Sequence, residues 1–253
     1  MDAGDLELLC NPSTGNPLTA SQAGLADLET GRHFPIREGI PVFVGTPINL
    51  NLKYQKMYDR LAPGYDIAER LYYWISRKPD YRLDYIQDLE ILGAGRVLEV
   101  SIGTGANLKY FPTTVQYFGL DLSWGMLRRA IVNGKKWGGK LSLFQGEAED
   151  LPFRNATFDC VFHVGGINFF NDKARAISEM IRVAKPGTKI VIVDETEKVV
   201  TGDYRRNPLT RKYFLDREAP VACPINLVPG LMAEVRARQI TRGKLYCLSF
   251  RKP

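Results

Sequence analysis

The chain has 253 residues, enough for one medium domain or one domain with a small appendage. Its composition, 45% apolar and 25% charged, excludes a disordered, collagen-like or coiled-coil protein. The net charge of +6 is unevenly placed: residues 1–50 hold two basic and six acidic side chains, whereas Lys198 to Pro253 holds twelve basic and four acidic.

A basic last segment is either a solvated face or an attraction for an anionic partner such as RNA, a phospholipid surface or an acidic small molecule. The four cysteines (Cys10, Cys160, Cys223, Cys247) are far apart and form no C-x-x-C pair. That argues against a disulfide framework and fits a reducing, cytoplasmic setting. No run of about 18 apolar residues is present, so no membrane span is expected. The acidic stretch Met1 to Glu7 lacks the basic start of a secretory signal.

In chain order, residues 1–50 are rich in Gly, Pro, Asn, Ser and Thr and read as short strands and turns. Ile36 to Val44 holds a turn signal followed by a strand-like apolar run. From Leu52 to about Leu92 the pattern is helical: Tyr58, Leu61 and Tyr65, then Leu71, Trp74 and Ile75, recur at three- to four-residue spacing. Pro63-Gly64 and Pro79 are expected to break this stretch. Short apolar runs then alternate with helical segments. The runs are Arg96–Val100, Tyr117–Leu120, Leu141–Phe144, Phe158–His163 and Lys189–Val193, with helices near 106–111, 123–134 and 172–184. Such alternation predicts a parallel sheet covered on both faces. Glu234–Ile240 and Lys244–Phe250, separated by Thr241-Arg242-Gly243, predict an antiparallel hairpin.

Three segments carry chemistry. In VLEVSIGTGANLKYF (97–111) an apolar strand runs into Gly103-Thr104-Gly105 and then a helix. Glycines there admit a ligand close to the backbone amides, either a dinucleotide pyrophosphate or an amino-acid carboxylate. The dinucleotide fingerprint needs a third small residue where Leu108 stands, which weakens that reading. In FGLDLSWGMLRRA (118–130), Asp121 ends the second strand eighteen residues after Gly103. It suits the two hydroxyls of a ribose, or a helix N-cap, although Ser123 can take the capping role. Gly146 to Phe153 follows the third strand, and an acid there can accept an adenine amino proton.

Together these segments resemble the class I S-adenosylmethionine-dependent methyltransferases over roughly residues 54–250, most closely the quinone C-methylase group. EMIRVAKPGTKIVIVDE (179–195) is similar to that family's turn into its fifth strand, and MYDRLAPGYD (57–66) to its helix before the sheet. The resemblance implies a Rossmann-like α/β fold: a seven-stranded, mostly parallel sheet with helices on both faces and a C-terminal antiparallel hairpin. It implies S-adenosylmethionine as cofactor and S-adenosylhomocysteine as product. Carried over by position, it implies Tyr58 and Tyr65 as lid residues, Glu99, Ser101, Gly103 and Gly105 at the methionine end, Asp121 at the ribose, and Leu122, Glu147 and Ala148 at the adenine. His163 is expected beside the methyl group as a base, and Asn168 as an orienting group. Ser101 stands where the family has glycine and fits if its backbone angles are ordinary; Thr188 replaces a glycine in an expected surface turn.

LLCNPSTGNPL (8–18) and HFPIREGIPVF (33–43) resemble the zinc-ribbon module that activates tRNA and translation-factor methyltransferases. Four Cys or His ligands make such a site. Here only Cys10 and His33 are available, with Ser13 at the second position, so no metal is expected. The organisation expected is a β-rich module at 1–50, a helical lid and access region at 51–95, and the cofactor domain at 96–253. The function expected is methyl transfer to a small molecule: a quinone, phenol, thiol or lipid-like acceptor. An rRNA or tRNA methyltransferase is the alternative, favoured by the ribbon-like start and basic end, and a non-catalytic S-adenosylmethionine-binding protein is the third.

Overall fold

Residues 3–45 lay down short antiparallel pieces, as their turn-rich sequence requires. They form one helical turn, α1 (Ala3–Leu6), a sheet of β1 (Thr19–Ser21), β2 (Gly24–Asp27) and β3 (Arg32–Phe34), and a hairpin of β4 (Ile36–Arg37) and β5 (Ile40–Pro41). The computed structural model describes residues 3–45, 47–77, 79–91, 93, 95–215 and 219–253. Leu92, the expected end of the helical stretch, lies outside them. A carboxylate organises the N-terminal module. Asp27, buried, accepts from Asn11 Nδ2 at 2.6 Å, Thr14 Oγ1 at 3.3 Å and the Glu29 and Thr30 amides. These donors, Asn11 first, hold its pKa well below the usual carboxylate range. Cys10 is buried, His33 is exposed on β3, and among the described residues no three His, Cys, Asp or Glu side chains gather as metal ligands. The module shares its core with the rest of the chain: Leu9, Leu18, Leu25, Phe34 and Phe43 pack in one cluster with Phe118, Phe144 and Phe153.

The expected break at Pro63 does not occur. One helix, α2, runs Asn49–Ser76 straight through Pro63-Gly64. Proline removes a backbone donor, leaving the Asp59 carbonyl without its helical partner. Tertiary contacts hold the helix across this point. A side-chain Cβ built at Gly125 would lie 3.0 Å from Ala62 Cβ and 3.2 Å from the Asp59 carbonyl oxygen, so only glycine permits this approach. Asp59 Oδ1 also accepts from the Gly125 amide at 2.8 Å and Ser123 Oγ at 2.6 Å. The same helical period that turns Tyr58 and Leu61 inward leaves Leu71, Trp74 and Ile75 exposed. A short turn, α3 (Leu83–Ile86), follows.

The sheet comprises β6 (Arg96–Val100), β7 (Gln116–Asp121), β8 (Lys140–Gln145), β9 (Cys160–Val164), β10 (Lys189–Glu195), β11 (Ala233–Ile240) and β12 (Leu245–Arg251). Its order is β11-β12-β10-β9-β6-β7-β8, with β12 antiparallel to both neighbours and the other pairings parallel. Alternate residues feed the two faces: Ile190 and Ile192 join one core cluster, Val191 and Val193 the other. Helix α4 (Trp124–Trp137) covers one face through Leu127 and Ala130, and α5 (Lys173–Val183) the other through Ile177 and Met180. Two further turns, α6 (Glu197–Val199) and α7 (Arg211–Phe214), lie between β10 and β11. Among the described residues no helix is long and apolar enough to cross a membrane.

Two local expectations fail. Instead of a helix at 106–111 the chain makes one 3₁₀ turn, Leu108–Tyr110, because Asn107 is drawn into side-chain bonds and Pro112 stops propagation. No helix N-terminus therefore follows the glycine loop. Thr188 is buried rather than on a surface turn, and its hydroxyl donates to the Phe158 carbonyl at 3.3 Å.

Candidate active site

Strand order reverses direction between β6 and β9, and the crevice at the carboxyl ends of such strands is where ligands bind. A cavity of about 540 Å³ opens there. Its walls come from the loops after β6, β7, β8, β9 and β10, and α2 roofs it with Tyr58, Tyr65 and Tyr73. That size suits a small molecule.

Asp121 sits at the centre of one wall. Its Oδ2 accepts from the Gly103 amide at 2.7 Å and its Oδ1 from the Ser123 amide at 2.8 Å. Burial pushes its carboxyl up to about 6. It does not cap α4; Ser123 does, accepting from the Met126 amide at 3.2 Å. The Leu122 carbonyl is clamped by Gln55 Nε2 at 3.1 Å and Gln145 Nε2 at 3.0 Å. Glu147 Oε2 accepts from Asn51 Nδ2 at 3.2 Å, and burial raises its pKa. The roof helix is thus bonded directly to the loops after β7 and β8.

Glu99 lies buried on the floor. It accepts from Asn107 Nδ2 and Tyr117 Oη, each at 2.5 Å, and Tyr85 Oη donates to Asn107 Oδ1 at 2.7 Å. Burial outweighs both donors and pushes the Glu99 carboxyl up to about 8. Arg82, also lining the cavity, donates to Glu69 of α2 at 2.7 Å. At the far end Asp194 Oδ2 accepts from the Asn168 amide at 2.8 Å and Tyr204 Oη donates to Glu195 Oε1. Burial, then the neighbouring Glu195, hold Asp194 well above the usual carboxylate range.

Ser101 departs from the expected ordinary backbone. Its φ is 60°, the left-handed region. A side chain there costs about 1–2 kcal/mol, part of which glycine would return as chain entropy. Ser101→Gly is expected to raise stability by about 0.5–1 kcal/mol, read from the midpoint of urea unfolding.

Residues 98–192 match the family described as a methyltransferase domain. A ubiquinone/menaquinone biosynthesis C-methyltransferase of Syntrophotalea carbinolica is 32% identical over 156 residues, 59% of this chain and 65% of that protein. A demethylmenaquinone methyltransferase of Renibacterium salmoninarum is 31% identical over 139 residues, 54% of this chain and 56% of that one. The chain therefore spans less than two thirds of the length of these relatives. Among solved structures, the complex of a Haloferax volcanii methyltransferase with the Trm112 activator matches with a TM-score of 0.61 at 16% identity, over 79% of this chain and 97% of that one. A phosphoethanolamine N-methyltransferase 2 of Haemonchus contortus, solved with S-adenosylhomocysteine, also matches at 0.61, with 15% identity over 84% of this chain and 62% of its own. Residues 98–192 therefore carry a methyltransferase domain, within a fold shared with these solved structures.

The fold brings Tyr58, Tyr65, Glu99, Ser101, Gly103, Asp121, Leu122, Glu147 and Ala148 to one cavity. Gly105, His163 and Asn168 lie outside its lining. Gly105 serves packing: at φ 73°, its missing Cβ would meet Leu108 Cδ1 at 3.0 Å. His163 is fully buried, and both ring nitrogens are engaged. Nδ1 donates to the Val100 carbonyl at 3.0 Å and Nε2 accepts from the Ile167 amide at 3.0 Å. No lone pair remains for a substrate proton, so the expected base is a fixed neutral strut. Asn168 is likewise occupied, Nδ2 donating to the Glu195 carbonyl at 2.8 Å and Oδ1 accepting from Tyr246 Oη at 3.0 Å.

Burial lowers the His163 imidazole to about 4. The unfolded chain takes up this proton near pH 6.5 and the folded chain does not. The stabilisation is therefore present above pH 6.5 and lost as pH falls to about 4, on the order of 3 kcal/mol. Because Glu99 and Asp121 titrate in the opposite sense, urea unfolding is read as a difference: His163→Gln is expected to gain on wild type by most of that amount between pH 7 and pH 4.5. The sequence reading also missed Asn51, Gln55 and Arg82 of the lining. The first two are polar residues on the inward face of α2, a signal available in the helical period. Nothing local marked Arg82.

Proposed function

We propose that this chain transfers a methyl group from S-adenosylmethionine to a small aromatic acceptor of the quinol or phenol type. The observation that carries this reading is one cavity with polar anchors on one wall and aromatic side chains, Phe169, Phe170 and Tyr204, at the other end. The names of the curated relatives support a quinone-type acceptor. When bound, the cofactor supplies an activated methyl on a sulfonium, so the protein's task is proximity and orientation.

The residues present fit that cofactor. Asp121 keeps a free lone pair on each oxygen for the ribose hydroxyls. Glu147, beside the buried Ala148, accepts from an adenine amino group, and Leu122 packs beside the ring. Glu99 and Ser101 meet the methionine end, and Tyr58 and Tyr65 exclude water from above. Methylation at carbon or oxygen releases a proton, and the Tyr204–Glu195 pair stands where it can be taken; Asp194 positions the 166–168 loop through its amide bonds. In this reading residues 1–50 form a cover, 51–95 the lid and access region, and 96–253 the catalytic domain. Its four free cysteines suit the cytoplasm.

The test is calorimetric binding of S-adenosylmethionine followed by transfer of a labelled methyl group to a panel of quinols, catechols, thiols, tRNA and rRNA. Transfer to a quinol or phenol is expected. Transfer only to RNA, or binding with no transfer to any acceptor, would overturn the acceptor class or the enzyme reading respectively.

A further inference from the structure

Helix α2 is sorted into three faces. One lines the cavity with Tyr58, Tyr65, Ala68, Glu69 and Tyr73. A second packs on α4. The third faces outward and is strongly apolar in its second half: Ile67 is 65% exposed, Leu71 52%, Trp74 78% and Ile75 66%. At 3.6 residues per turn these four fall within roughly a third of the circumference, opposite the cavity face. Contiguous exposed apolar surface of this kind marks a contact site.

The charges are sorted the same way. Every acid of α2 faces inward and is bonded: Asp59 to the Gly125 amide, Asp66 to Arg129 at 2.7 Å and Glu69 to Arg82 at 2.7 Å. Lys56, Arg60 and Arg70, with Arg77 just after the helix, are exposed. The outward surface is therefore apolar and purely cationic. A helix with aromatic and aliphatic residues beside basic ones lies at the headgroup boundary of an anionic bilayer. A second copy of the chain would meet the same positive charge and be repelled, which argues against self-association through this face.

We propose that the outward face of α2 docks on an anionic membrane surface, with Trp74 and Ile75 entering the headgroup boundary. Docking there sets the cavity roof against the bilayer, so that an apolar acceptor reaches the cavity from lipid. The proposal goes beyond the acceptor reading, since vesicle binding requires no turnover.

The test is co-sedimentation of the full chain with mixed phosphatidylglycerol–phosphatidylcholine vesicles and with phosphatidylcholine alone. Binding is expected only to the anionic vesicles and is expected to weaken with added salt. Trp74→Ser with Ile75→Ser should lower it at least about tenfold, from the apolar area withdrawn. Arg70→Gln and Arg77→Gln should each lower it about fivefold. All these side chains are exposed, so the variants should keep the wild-type melting temperature and S-adenosylmethionine affinity. A wild type that stays in the supernatant with every vesicle overturns the proposal. So does undiminished binding of the Trp74–Ile75 variant, or self-association abolished by that variant without vesicle binding. Failure of vesicle binding with intact methyl transfer separates this proposal from the acceptor reading.

Discussion

Asp121→Ala is expected to abolish measurable S-adenosylmethionine binding while leaving a folded protein. Each hydrogen bond to a charged acceptor contributes about 1.5–3 kcal/mol, and two ribose hydroxyls would lose theirs together. The expected loss is therefore roughly 10²–10⁴ in Kd. Asp121 also holds the Gly103 and Ser123 amides, so the variant loosens the loop that meets the methionine end. Because the carboxyl sits near pH 6, wild-type affinity should fall as pH drops below about 6, and the variant should lack that dependence. Titration calorimetry across pH 5 to 8 measures both effects. Wild-type affinity in the variant would remove Asp121 from the cofactor site.

Glu99 carries the second large effect, with opposite signs for stability and binding. Its carboxyl holds a proton to about pH 8 in the folded chain but releases it near 4.5 when unfolded. The stabilisation is present below about pH 4.5 and is lost as pH rises to about 8, on the order of 4–5 kcal/mol at the upper end. Glu99→Gln removes the charge that burial opposes. The variant should be more stable than wild type at pH 8 and no more stable at pH 4, by urea unfolding. The same side chain is proposed to meet the cationic methionine end of the cofactor. Binding should then release a proton near neutral pH, seen as a heat that changes with the ionisation enthalpy of the buffer. The variant should bind more weakly and release none. The unfavourable buried carboxyl is thus retained at a cost in stability, the pattern expected of a binding group.

Much of the fold was legible because two-sided burial leaves uninterrupted apolar runs. Lys189–Val193 reads as a strand from sequence, and its alternate residues feed both cores. Asp121 was legible from its position at a strand end after a glycine turn. The failures share a cause: the deciding contact is distant in sequence. Pro63 argues for a break, and only the approach of Gly125, 62 residues later, holds the helix together. His163 stands at a plausible strand end, but the Val100 carbonyl and Ile167 amide consume both nitrogens. Ser101 gives no sign in sequence of its left-handed φ. Arg82 enters the cavity through a pairing with Glu69 that no local pattern announces.

The shared core of the N-terminal module has a consequence for solubility. A sheet of seven strands has two open margins, and unpaired margins invite other chains to add themselves. On the β11 side the margin is roughened by a register shift between Ala233 and Arg236 and studded with Glu234, Arg236 and Arg238. On the β8 side the one charged residue is Lys140, at the first position of the strand. Beyond it, Asp5 accepts from Ser142 Oγ at 2.6 Å, Val42 pairs with Gln145, and the Phe43 amide donates to the Gln145 carbonyl at 2.8 Å. A chain begun at Leu50 would keep every residue that lines the cavity, since the first of them is Asn51. It would nonetheless bare β8 and its aromatic underside, and is expected to precipitate rather than remain monodisperse. The module persists, in this view, as a shield against aggregation.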